Sequence, residues 1–183
     1  MRWLTLYARS RRVPASLAVL LVSAVAVPVL AQDTAGDPRL PLLVLATGAM
    51  AASVGLGGQD LALDRTAAIR WAPRRAAHVL LAAAAVGAVL AAGDPATTEF
   101  AVRDAAGLLG LAALGAALAG AQYAWTLPFT WLVLTLFAPP ATSTPARIAT
   151  WLLQPPGTPT ATWTAAALTL TGTTAYALTG PRR

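Results

Sequence analysis

The chain has 183 residues, 57% of them hydrophobic and only 11% charged, whereas a soluble globular domain usually carries about 25% charged residues. Its basic residues are thirteen arginines with no lysine, set against seven acids for a formal net charge of +6, and cysteine is absent. These figures argue against a single soluble domain and exclude disulfides, thiol catalysis and thiolate-held metal centres.

A strongly basic soluble protein would suggest a nucleic-acid partner. Here the arginines cluster at the ends of apolar stretches, where they meet anionic headgroups. The partner implied is therefore the lipid bilayer, not nucleic acid.

The opening segment sets Trp3, Leu4, Leu6 and Tyr7 among Arg2, Arg9, Arg11 and Arg12, the composition of a short interfacial helix. An uncharged stretch at about 14–31 follows and is expected to span. A cleaved signal peptide, with Val29-Leu30-Ala31 as its small-residue site, is the competing reading, but the stretch is long for that role. Asp33, Asp37 and Arg39 form a short polar loop before a second span at 40–58. A third span is expected at 76–93, with Asp94 and Glu99 beyond it. At about 1.5 Å per residue, each approaches the roughly 30 Å hydrocarbon thickness.

From Ala105 to the residue before Arg147 no charge interrupts the chain, which is too long for one helix. Gln122, Tyr123, Trp125 and Pro128 mark a hairpin near the interface. It divides the stretch into spans at 105–120 and 123–138. The proline-rich segment 139–162 contains Ile148, Trp151, Leu152 and Leu153, too few apolar residues to span and too many for a solvated loop. A short re-entrant or interfacial helix satisfies both constraints. The last span is expected at 163–180.

Charge then chooses the topology. With six spans, ten arginines against Asp60 and Asp64 lie inside, a net of +8. Outside are three arginines (Arg39, Arg103, Arg147) against five acids, a net of −2. With five spans, Arg182 and Arg183 would face outward against the positive-inside bias. The fold class expected is thus all-α: one polytopic transmembrane domain of six helices with both termini cytoplasmic.

The richest polar segment is the inner connection 59–76. Asp60 and Asp64 are one helical turn apart, Arg65 and Arg70 follow, and Leu63, Ile69 and Trp71 supply apolar contacts. This suits a short helix docking on a cytoplasmic partner, its apolar side chains in a groove and its charges setting register. A basic loop that merely reports orientation accounts for the arginines equally well. His78, the only histidine, has neither a second histidine nor an intramembrane acid to form a metal site with, so packing between helices is its expected role. Small residues recur at four-residue spacing in Ala83, Gly87 and Ala91, and in Ala112, Ala116 and Gly120, a pattern that permits close helix approach. Arg103 and Asp104 are expected to form a helix-end charge pair. No Ser/His/Asp set, phosphate-binding loop with lysine, or HExxH motif occurs, so neither an enzyme nor a cofactor is expected.

Leu63-Asp64-Arg65-Thr66, Arg103-Asp104-Ala105-Ala106-Gly107-Leu108-Leu109-Gly110 and Tyr176-Ala177-Leu178-Thr179-Gly180-Pro181, within this six-span plan, resemble ABC exporter permeases of the type-2 class. The chain also resembles small, alanine-rich actinobacterial membrane proteins. It departs from such permeases in its shorter length, minimal outer loops and abbreviated start. The resemblance implies a plasma-membrane transport subunit working as a homo- or heterodimer of permeases with a separate ATP-binding subunit. The 59–76 segment would be the coupling helix and 140–161 the re-entrant element. A non-transporting scaffold that recruits a cytoplasmic partner is the alternative.

Overall fold

The computed structural model describes residues 12–30, 37–57, 71–93, 98–139 and 142–182. The opening segment, expected to be interfacial, and most of the 59–76 connection lie outside them. Among the described residues the chain is all-helical, with no strand. In chain order the helices are α1 (Val13–Leu30), α2 (Arg39–Ser53, extended by a 3-10 turn Val54–Leu56), α3 (Trp71–Gly93), α4 (Thr98–Ala119), α5 (Thr126–Phe137), α6 (Thr144–Ala149) and α7 (Pro159–Thr179).

Among the described residues, three helices are long and apolar enough to cross a membrane: Arg39–Leu56, Trp71–Ala92 and Thr98–Ala119. A shorter apolar helix runs over Val13–Val27. α7 has 21 residues, about 32 Å at a helical rise, but its eight threonines lower its hydropathy. Most of their hydroxyls are satisfied within the helix: those of Thr162, Thr164, Thr169, Thr171 and Thr179 donate to carbonyls one turn back. Threonine can therefore line a helix without demanding water.

α4 is the axis of the bundle. Of its apolar window 78% is buried, against 22% for α3, and it touches α2, α3, α5 and α7. Small residues permit this. A Cβ on Gly87 of α3 would stand 3.3 Å from the Ala101 carbonyl oxygen, and one on Gly110 would stand 2.5 Å from that of Leu168 in α7. Gly110 and Gly172 meet backbone to backbone where α4 crosses α7. Interhelical dispersion, which lipid cannot replace at such short range, is what holds these helices together.

Opposite this core, large apolar side chains face outward: Leu21, Val22 and Val25 on α1, Leu81 on α3, Phe137 on α5, and Trp163, Leu170 and Leu178 on α7. A water-soluble surface rarely carries so many together; a bilayer solvates them without cost.

Helix ends sort into two groups. The Ser16 hydroxyl donates to the Ala51 carbonyl (2.8 Å), and the buried Tyr176 hydroxyl donates to that of Leu56 (2.6 Å). The Arg182 N–H donates to the Ala116 carbonyl and its guanidinium to that of Leu118, both at 3.1 Å. The Arg75 guanidinium lies against Gly180. Arg12, Arg74, Arg75 and Arg182 thus occupy one end of the bundle, while Arg39, Arg103 and Arg147 occupy the other. Gly120 (φ 106°) and Gly180 (φ 69°) close α4 and α7 at the first end, in a backbone region that side chains rarely tolerate.

Three helix starts differ from those expected from charge. α3 begins at Trp71, not Ala76, and so takes in Arg74 and Arg75. α4 begins at Thr98, not Ala105, and so takes in Glu99, Arg103 and Asp104. α7 begins at Pro159, not Trp163, with proline in the first turn where its missing N–H costs nothing. Charges close to a span do not end a helix when the fold supplies partners for them.

Candidate functional site

The first turns of α4 carry the densest polar chemistry among the described residues. Glu99 and Arg103 lie one turn apart on the same face. The Glu99 Oε1 accepts from the Gly157 N–H (2.8 Å). The Arg103 guanidinium divides its donors: Nε to Asp104 Oδ1 (2.7 Å), Nη1 to the Pro155 carbonyl (3.1 Å) and Nη2 to the Gln154 carbonyl (2.8 Å). It also lies 5.5 Å from the Phe100 ring centroid, within cation–π range. The side chains of Arg103 and Asp104 are 5% and 0% exposed, and Asp104 Oδ2 is buried without a hydrogen-bond partner. The expected pair therefore exists, but inside the helix and buried rather than at a solvated end. Its chief work is to clamp the chain that leads into α7.

In that chain, where a short re-entrant or interfacial helix is expected, lies the six-residue helix α6. Ser143 caps α6, with Pro145 in its first turn. The Ala149 carbonyl at the end of α6 accepts from Trp131 Nε1 (3.0 Å) and from the Thr135 hydroxyl (3.3 Å), both on α5. A 3-10 turn, Trp151–Leu153, follows. The Trp151 indole is wholly buried and its six-membered ring abuts Gly107, where any Cβ would collide with the ring atoms Cη2, Cζ2 and Cζ3. α5, the 144–157 segment and the start of α4 are thereby locked together.

Beside this corner a groove of about 510 Å³ runs between α4 and α7. Val102, Ala106, Ala165, Ala166, Thr169 and Leu170 wall it, and Glu99 and Arg103 stand at one end. Its walls are almost wholly apolar. The arrangement offers no nucleophile with a base beside it; it offers a hydrocarbon-lined slot ending in charge.

Of the candidate docking residues, Asp60, Leu63, Asp64, Arg65, Ile69 and Arg70 lie outside the described residues. Trp71 opens α3 and is half-buried, with the Arg74 guanidinium 5.6 Å from its ring centroid. His78 is half-buried on α3, and no group of three or more metal-ligating side chains occurs among the described residues. The Glu99–Gly157 contact was not foreseen. Its only signal in the sequence is the one-turn spacing of Glu99 and Arg103 and, about fifty residues on, the Pro155-Pro156-Gly157 turn.

Comparison with protein-family models, curated proteins and solved structures gave no match.

Proposed function

We propose that the chain is the membrane-spanning permease subunit of an ABC-type exporter, multi-pass in a bacterial plasma membrane. It moves a hydrophobic or amphipathic molecule using ATP hydrolysed by a separate subunit. The observation that carries this reading is the laterally open α4–α7 groove, apolar along its length and charged at one end, which matches a cargo that is half hydrocarbon and half polar. α4 fills the centre of the bundle, so a route for cargo would lie between two permease copies. The same filled centre favours, as a second reading, a scaffold that recruits a cytoplasmic partner through 59–76 and conducts nothing.

In this proposal α1, α5 and α7 span along with the three longer helices, and the Arg12, Arg74, Arg75 and Arg182 end is cytoplasmic. Because the chain lacks cysteine, single cysteines report topology without background. Pro156→Cys should react with a membrane-impermeant maleimide in intact cells, and Gln122→Cys only after permeabilisation. Labelling of both in intact cells would exclude this arrangement.

Purification from native membranes tests the permease role. A partner bearing a phosphate-binding loop with lysine should co-purify, and combined Leu63→Ala and Trp71→Ala should lower its recovery about tenfold, the effect of losing hot-spot contacts. Recovery of a different cytoplasmic protein through the same residues supports the scaffold; recovery of neither defeats both.

A further inference from the structure

We propose that the α4–α7 groove seats a cationic, single-chain amphiphile, with its alkyl chain between the helices and its head at Glu99. This deepens the permease reading by naming the cargo class.

The argument turns on charge. In a bilayer, lipid tails are as apolar as the groove walls, so burying an alkyl chain there gains little over leaving it in lipid. Selection must come from the polar end. Two formal charges line that end, those of Glu99 and Arg103. The arginine is consumed: its side chain is 5% exposed, Asp104 lies 2.7 Å from its Nε, and two backbone carbonyls take its other nitrogens. Glu99 is exposed, and one of its oxygens accepts from Gly157. The charge a ligand meets is thus negative. The helix starts at this end do not reverse that sign. α7 opens on Pro159, which removes one first-turn N–H; those of Thr160 and Ala161 remain. A helix start carries only about half a unit of positive charge, against the full charge of Glu99, which sits in the first turn of α4. A head that is cationic but cannot be deprotonated, such as a quaternary ammonium, fits best. The Glu99 carboxylate would attract it without having to release Gly157.

The test uses the purified full chain in nanodiscs of zwitterionic phosphatidylcholine. The probe is an alkyltrimethylammonium carrying a diazirine on its chain, and crosslinks are mapped by peptide mass spectrometry. Label should fall on Thr98–Ala119 and Pro159–Thr179. Dodecyltrimethylammonium should compete for it; dodecyl sulfate and dodecyl maltoside should not. Glu99→Gln keeps an oxygen for the Gly157 N–H while removing the charge, and should weaken competition about fivefold, as loss of an exposed ion pair does. Ala166→Leu should block labelling by filling the groove. Equal competition by all three detergents, or indifference to Glu99→Gln, overturns the proposal in favour of a simple lipid-chain seat; so does label that maps elsewhere. No ATP-binding subunit takes part, so this result stands or falls separately from the co-purification.

Discussion

Gly172→Leu is expected to abolish the folded protein. At the crossing of α4 and α7, a Cβ on Gly172 would fall on the carbonyl oxygen of Gly110, and a Cβ on Gly110 would stand 2.6 Å from Thr169 Cα. Both obstacles are backbone, so no rotamer change relieves them, and the helices must separate. Separation exposes the buried centre of α4 and breaks the closest packing in the bundle. The cost should exceed about 4–5 kcal/mol, comparable with the whole stability of many domains, about 5–15 kcal/mol. Gly57→Ala is the control: its Cβ would stand 3.5 Å from the nearest atom, ordinary contact, and its cost should stay below about 1 kcal/mol. Thermal stability followed by size-exclusion chromatography distinguishes them. A Gly172→Leu protein that elutes and melts like the parent would refute the crossing.

Arg103→Ala should cost about 3–5 kcal/mol, the usual effect of stranding a buried charge. The substitution leaves Asp104 wholly buried with neither oxygen paired, and removes the donors that serve Gln154 and Pro155. Arg103→Lys should restore only part of this, because an ammonium lacks the planar fork that reaches the carboxylate and both carbonyls together. The double variant Arg103→Leu/Asp104→Leu should be more stable than Arg103→Ala alone, since it removes the stranded charge. The coupling in a double-mutant cycle should reach at least about 1.5 kcal/mol. A local readout accompanies it: release of the 150–158 segment should speed tryptic cleavage after Arg147. Additive effects, with unchanged cleavage, would mean that the pair clamps nothing.

These two sites differ in how far the sequence exposed them. Arg103 and Asp104 were visible as a pair, because adjacent opposite charges beside an apolar run stand out. Their burial was not visible, because it depends on Gln154 and Pro155, about fifty residues along the chain. The Gly110–Gly172 contact left no local pattern at all. The four-residue stripes drew attention to Ala112 and Ala116, which are indeed wholly buried, and to Gly87, which does meet α4. They also included Gly120, which serves instead to end α4 at positive φ. In an alanine-rich chain, small residues mark where helices can approach, while only the crossing itself selects which ones do.

Hydropathy and arginine distribution, read along the chain, determined the all-helical class, the separation of the long apolar helices and the sorting of arginines into two groups. Those properties are local, since apolar length and charge position act on each segment separately. The tertiary structure alone decided that α4 is the axis, that its polar first turns clamp the segment before α7, and that a groove ending at the exposed Glu99 carboxylate lies beside them. Each of these needs partners from distant segments, and a buried charge or a bare glycine acquires its meaning only when those partners arrive.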